Sequence, residues 1–399
     1  MNSSWDSMFY DRVKLAYNLL TDDGSISVSI DDNELSDVIS LLNLIFGKQN
    51  QIAIVAVKMS RSTGVKMAHE DDKPVRYKEY LVIYAKNKDY FNINPQYIET
   101  DEFDERYTKF VPNIEDEPSK WKFENIRKYI ASFKDDKAKL LEFYTNNANR
   151  ICRFAANNQE AFLMTKGQKY CQQIITSTGL NKYAFDGQKV LFYDSKFKII
   201  NGKKVFAENA GDFWSDIVNH VNDLSNEGGV TLPKGKKPEF LLERIINLCS
   251  NKGDLVLDFC LGSGTSTAVA TKLDRKFIGV EVMPYFWNLP LKRMKKVLGG
   301  EQRGISHEVG WKGSGFLKYI ILESYEDALN NIVLEDKNVQ TLGDSKEDYF
   351  LHYMLNTESE GSVSLLNIDK LDKPFSYKMN ITRNLESKER TVDLVETFN

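Results

Sequence analysis

The stretch LDFCLGSGTSTAVATKLDRKFIGVEV, residues 257–282, decides how this chain is to be read. LVLDF, residues 255–259, is an apolar run with Asp258 at its end just before the turn, the pattern of a buried parallel strand. Gly262 and Gly264 permit a tight turn and a close approach of backbone to a ligand. Thr265 to Lys272 follow as a helix whose first N–H groups have no partner within the helix. FIGVEV is a second strand with Glu281 near its end. Strand, glycine turn, helix and strand make the unit that usually opens a nucleotide-binding domain. Here it lies two-thirds of the way along the chain, so much of the domain must be built from what comes before it.

The turn limits what it can hold. The dinucleotide fingerprint asks for a small third residue, and Thr267 stands there. No P-loop lysine follows, which excludes ATP binding of that type. Asp258, just ahead of the turn, would repel a pyrophosphate and suits a cationic amino-acid moiety such as that of S-adenosylmethionine. Glu281 is placed to accept hydrogen bonds from two ribose hydroxyls. A turn with no ligand is the plain alternative. A nicotinamide-dependent enzyme is disfavoured by Asp258 and Thr267.

Composition bounds the rest. The chain has 399 residues, 42% hydrophobic and 12% aromatic, with a formal net charge of −4. That is enough for two or three domains with a real core, and no global charge advertises a nucleic-acid partner. Cys152, Cys171, Cys249 and Cys260 form no C-x-x-C pair and read as reduced thiols of a cytoplasmic protein, Cys249 and Cys260 as small core residues. The four histidines are scattered, so no zinc cluster is expected. No apolar run approaches the roughly 20 residues of a membrane span, and the N-terminus lacks a signal-peptide pattern.

Residues 5–20 have helical apolar spacing, with Gly24 suited to the turn after them. SISVSI reads as a strand and residues 33–46 as a helix, with Asp31 to Asn33 as candidate caps and Gly47 as its stop. Residues 52–207 read as an inserted α+β block. IAIVAVKM and YLVIYAKN are strands within it, and residues 117–165 are charged and helical. The aromatics there, Trp121, Phe123, Tyr129, Phe133, Phe143 and Tyr144, read as core. KVLFYDS and FKIINGKKVF suggest a hairpin turning at Asn201-Gly202. After about residue 300, FLKYIIL reads as strand and ESYEDALNNIVLE as helix.

Residues 235–282, GKKPEFLLERIINLCSNKGDLVLDFCLGSGTSTAVATKLDRKFIGVEV, closely resemble the cofactor half of the permuted DNA amino-methyltransferases. The likeness is greatest to modification subunits of type III restriction–modification systems. DRVKLAYNLLTDDGSISVSIDDNELSDVISLLNLIFGKQN resembles the end of that family's catalytic half. TGVKMAHED and KEYLVIYAKNK resemble the start of its recognition insert, and GDFWSDI its return to the sheet. The resemblance implies a Rossmann-like α/β methyltransferase sheet, incomplete at the N-terminus, with an inserted α+β target-recognition domain and a C-terminal α+β extension. The implied divisions are 1–51, 52–207, 208–300 and 301–399. It implies a cytoplasmic enzyme moving a methyl group from S-adenosylmethionine to adenine N6 in double-stranded DNA. It also implies a homodimer and a helicase–nuclease restriction subunit as partners. Asp258, Cys260, Gly262, Ser263, Gly264 and Thr265 would hold the methionine end and Glu281 the ribose. Lys234, Lys236 and Lys237 would flank the methionine end, and Lys58, Arg61 and Lys66, with Lys73 and Arg76, would meet DNA.

One departure matters. The family's catalytic signature, D-P-P-Y, is absent, so no catalytic residue is assigned. The nearest string, Asn94-Pro95-Gln96-Tyr97, reads as an ordinary loop. In the family the signature's strand lies between the strand of Asp258 and SISVSI. Without it two strand edges are left unpaired, so the chain alone is expected to be marginally stable and slow in transfer. It reads as a truncated product, or as one whose upstream part another chain supplies. A non-catalytic DNA-binding or assembly subunit and a cytosine-N4 methyltransferase stay open as alternatives.

Overall fold

A computed structural model describes residues 3–61, 75–157, 159–175, 181–200, 202–221, 224, 226–232, 235–322, 378–383 and 386–391. Helix α1 (Ser3–Leu19) turns Phe9, Val13 and Ala16 inward on one face. Strand β1 (Ser25–Ile30) is the SISVSI run. Helix α2 (Leu35–Phe46) buries Val38, Leu42 and Phe46, one residue per turn, and stops where Gly47 takes φ 84°. Strands β2 (Gln51–Lys58) and β3 (Lys78–Ala85) follow, and β4 (Phe213–Trp214) returns to the same sheet from far along the chain. The order is β1-β3-β2-β4, antiparallel except for the β2–β4 pair. Both faces of this sheet are covered. Val82 and Tyr84 pack against α1 and α2. Val55, Val57, Leu81 and Ile83 pack against Trp214, Ile217 and helix α3 (Glu239–Cys249).

The quoted stretch folds as strand β5 (Leu255–Asp258), helix α4 (Thr265–Lys272) and strand β6 (Lys276–Gly279), with helix α5 (Pro290–Leu298) beyond it. β5 and β6 pair in parallel, Leu255 opposite Lys276 through Asp258 opposite Gly279. One face, carrying Val256 and Phe277, packs on Ile246, Val269, Leu273 and Ile305. On the other face Leu255 is 60% exposed and Ile278 49%. The expected buried strand is therefore buried on one face only. Among the described residues β5 bonds only to β6 and β1 only to β3, so each keeps one edge unpaired.

Between β3 and β4 lies a six-stranded antiparallel sheet. Its order is 124–125, 109–110, 151–156, 188–192, 181–185 and 172–175. A three-stranded sheet of 197–200, 203–209 and 97–99 stands beside it in the sequence. The aromatic residues named above serve this block's core: Tyr129, Phe143 and Tyr144 join Phe110 and Tyr193, while Trp121 and Phe123 pack near Val190. Phe133 stacks obliquely on Phe143.

Several expectations change. The strands at 51–58 and 78–85 belong to the sheet of β1 and not to the inserted block, because their apolar runs are buried on two faces. Among the described residues of 117–165, helix is confined to 127–130, 137–146 and 160–163, apart from a 3₁₀ turn at 118–120. The hairpin joins 197–200 to 203–209, with Gly202 at φ 76°, whereas 188–192 belongs to the larger sheet. Gly24 has no positive φ, and no side-chain hydrogen bond caps α2. Asn94 belongs to a structural loop, as read: its side-chain amide donates to Asn247 O and Ser250 O at the end of α3. Two compact units divide at Ser314 and Gly315, later than residue 301, because Ile305 and Trp311 pack back onto α3, α4 and α5. In the second unit residues 316–322 form no strand, and 378–383 pairs with 386–391. The helix expected at 323–335 lies outside the described residues.

Candidate cofactor site

The turn between β5 and α4 is held by the two acids that flank it. Asp258 Oδ1 accepts from Cys260 N at 2.9 Å, and Oδ2 accepts from the Ser266 hydroxyl. Glu281 Oε2 accepts from Gly262 N at 2.7 Å and Oε1 from Met283 N at 2.9 Å. Each carboxylate therefore spends some of its lone pairs ordering the turn and keeps others for a ligand. Gly264 caps α4 in the left-handed region at φ 75°, and a Cβ there would come within 2.9 Å of Pro290. At Gly262, φ 56°, a Cβ would meet only ordinary contacts at 3.8 Å with Cys260 O and Leu232 Cδ2, so the backbone there is uncrowded. Ser263 and Thr265 are buried, their hydroxyl oxygens 3.0 Å apart.

The third fingerprint position is resolved by a residue the sequence reading passed over. Thr267 is buried, and helix and strand approach closely because the glycine sits on β6 instead. A Cβ on Gly279 would lie 2.9 Å from Thr267 Cγ2 and 2.8 Å from Leu261 Cδ2.

The structure thus brings Asp258, Cys260, Gly262, Ser263, Gly264, Thr265 and Glu281 to one turn. Cys260 is exposed, not a core residue, and Cys249 is half-buried. Although the residue is exposed, neighbouring atoms partly desolvate its sulfur, and that with Asp258 pushes the thiol up. Tyr285 was not foreseen. Desolvation, followed by the nearby Glu281 carboxylate, raises its pKa.

The lysines are dispersed. Lys58 ends β2 opposite Lys78. Arg61 donates to Asn219 Oδ1 at 2.7 Å, and Arg76 to Asn33 Oδ1 at 3.0 Å. Lys66, Lys73 and Lys234 lie outside the described residues. Lys237 pairs with Glu79 of β3. Lys236 is buried and donates to Glu227 O and Val230 O, and burial together with Arg293 pushes its pKa down to about 8.

Behind the turn lies a buried cluster of charge that sequence reading also missed. Glu239, Lys272 and Arg293 have fully buried side chains. Glu239 Oε2 takes Lys272 Nζ at 2.7 Å and Oε1 takes Arg293 NH2 at 2.7 Å. Burial pushes Glu239 up, yet Arg293 and Lys272 outweigh it and its carboxyl stays below the ordinary range. Glu227 lies 3.8 Å from Arg293 and is pushed up to about 7 by burial and by Glu239. Among the described residues no His, Cys, Asp and Glu cluster suits a metal, and no helix is long and apolar enough to cross a membrane.

A sequence model of a family described as DNA methylase matches residues 2–290. The probable type III restriction-modification enzyme HindVI Mod subunit of Haemophilus influenzae is 29% identical over 91% of this chain and 54% of its own length. The EcoPI Mod subunit of Escherichia phage P1, also named a type III restriction-modification enzyme, is 25% identical over 70% of this chain and 44% of its own. The DNA adenine methyltransferase YhdJ of Escherichia coli K12 is 49% identical over 15% of this chain and 20% of its own. The chain spans about half the length of these two Mod subunits.

Proposed function

The chain belongs to the DNA methylase family, and on that premise we propose that it is the cofactor-binding and target-recognition part of a type III modification enzyme. Its reaction is methyl transfer from S-adenosylmethionine to adenine N6 in double-stranded DNA, carried out in the cytoplasm. The observation that carries this reading is the turn at 258–266. It joins a strand-end acid, an uncrowded glycine turn, a helix N-terminus and a second acid.

The donor set fits the cofactor. Asp258 keeps lone pairs for the cationic amino group, Glu281 for the ribose hydroxyls, and the first N–H groups of α4 suit a carboxylate. When bound, the cofactor supplies an electrophilic sulfonium methyl. The chain orients that end and keeps it beside the unpaired edge of β5. The half still needed is the group that accepts the amino hydrogens of a flipped adenine. The family's D-P-P-Y strand would enter between β5 and β1, where each has a free edge among the described residues.

In this reading the inserted block expected at 52–207, apart from β2 and β3, recognises DNA, and Lys58, Arg61 and Lys66 approach phosphate or base edges. Homodimerisation and pairing with a helicase–nuclease restriction subunit follow from the likeness to Mod subunits. The test is labelled S-adenosylmethionine and duplex DNA, with the chain alone and with a D-P-P-Y-bearing segment supplied. Label in N6-methyladenine, only in the supplied arm, supports the reading. Label in N4-methylcytosine would change the substrate. Salt-dependent DNA binding with no label in either arm would make this a non-catalytic assembly subunit.

A further inference from the structure

The cofactor turn does not stand alone, because a cation from a later helix reaches its first residue. Arg293 of α5 donates from NH1 to Thr265 Oγ1 at 2.8 Å and from NH2 to Glu239 Oε1 at 2.7 Å. The same Glu239 takes Lys272, the last residue of α4, through its other oxygen. One carboxylate at the start of α3 therefore holds both ends of α4, directly at Lys272 and through Arg293 at Thr265. The Arg293 stem packs directly on Gly228, where a Cβ would come within 2.5 Å of its Cγ.

A guanidinium only donates. It fills one lone pair of Thr265 Oγ1 and leaves that hydroxyl its proton. Ser263 Oγ lies 3.0 Å away, and either hydroxyl can donate to the other. In the arrangement where Thr265 donates, Ser263 keeps its own proton for an acceptor on the ligand side. We propose that Arg293 is a positioning residue for the cofactor turn: held by Glu239, it fixes Thr265, and through it Ser263, for the carboxylate of the cofactor's amino-acid end. This rests on the proposed function and adds to it a residue distant in sequence from the turn.

The test uses the full chain and S-adenosylmethionine in calorimetric titration. Thr265→Val keeps the shape and removes the hydroxyl, Thr265→Ser restores it, and Arg293→Lys keeps the charge but loses the fork. Thr265→Val and Arg293→Lys are each expected to weaken binding about tenfold, and the double variant no more than either single one. Thr265→Ser should stay within about twofold of wild type. A merely structural role would lower the thermal midpoint in step with affinity and give additive losses, and that pattern overturns the proposal. So does wild-type affinity in Thr265→Val.

If the wild-type chain binds no S-adenosylmethionine, the proposed function fails, and the positioning role is read from amide hydrogen exchange. Faster exchange confined to residues 262–266 in Thr265→Val and Arg293→Lys upholds it. Unchanged exchange there, or loss of protection throughout α3, α4 and α5, overturns it.

Discussion

The two sheets that serve the cofactor turn are built on opposite terms. In β1-β3-β2-β4, residues Leu81 to Ala85 are all at most 1% exposed, with helices on one face and Trp214, Ile217 and α3 on the other. In the β5–β6 pair an equally apolar run leaves Leu255 and Ile278 largely in water on one face. Apolar sequence makes a strand in both cases. Burial is decided by what the rest of the chain brings to cover it. The pair is held by α3 and α4 on its other face and by a buried charge cluster at the end of α4, while the larger sheet has no such need.

That contrast can be broken first at the charges. Glu239→Ala would leave Lys272 and Arg293 buried without their shared carboxylate, a loss of about 3–5 kcal/mol in urea unfolding. A loss under about 1 kcal/mol would mean that water reaches the cluster. Next come the hydrophobic positions. Ile83→Ala, in the covered sheet, should cost about 2–5 kcal/mol. Gly279→Ala should cost about 1–3 kcal/mol, since the new methyl meets Leu261 and Thr267 inside 3.0 Å. Leu257→Ala, on the uncovered face of β5, should change stability by no more than about 0.5 kcal/mol. A Leu257→Ala loss like that of Ile83→Ala would show that this face is covered in solution.

The finest effect lies in pH. Glu227 is raised from 4.5 to about 7, so the folded chain holds a proton that the unfolded chain releases. Its contribution to stability is full below 4.5 and is lost as pH rises through about 7. Glu227→Gln should therefore flatten the fall in thermal midpoint between pH 5 and pH 8. Glu243, also raised to about 7, keeps part of the slope. An unchanged slope in Glu227→Gln would remove Glu227 from this role.

Much of the turn was legible in sequence. The strand end at Asp258, the glycines, the helix from Thr265 to Lys272 and the strand before Glu281 stand where their local chemistry puts them. So do β1 and the stop at Gly47. What was not legible depends on residues distant along the chain. Glu239, Lys272 and Arg293 carry no local mark of burial, since most charged residues are solvated, and their partners lie 28 to 54 residues away. Gly279 reads only as a strand residue until Thr267 is packed against it. β2 and β3 carry no local mark of which sheet they join. Their pairing with β1 is a long-range choice made by burial.

The central claim is that the turn at 258–266 binds S-adenosylmethionine through Asp258. The most direct measurement is calorimetric titration of the full chain with S-adenosylmethionine, wild type beside Asp258→Ala. The account predicts saturable binding by wild type and its loss in Asp258→Ala, with both chains folded and with no heat from NAD. Equal binding by the variant, or none by a folded wild type, would contradict it.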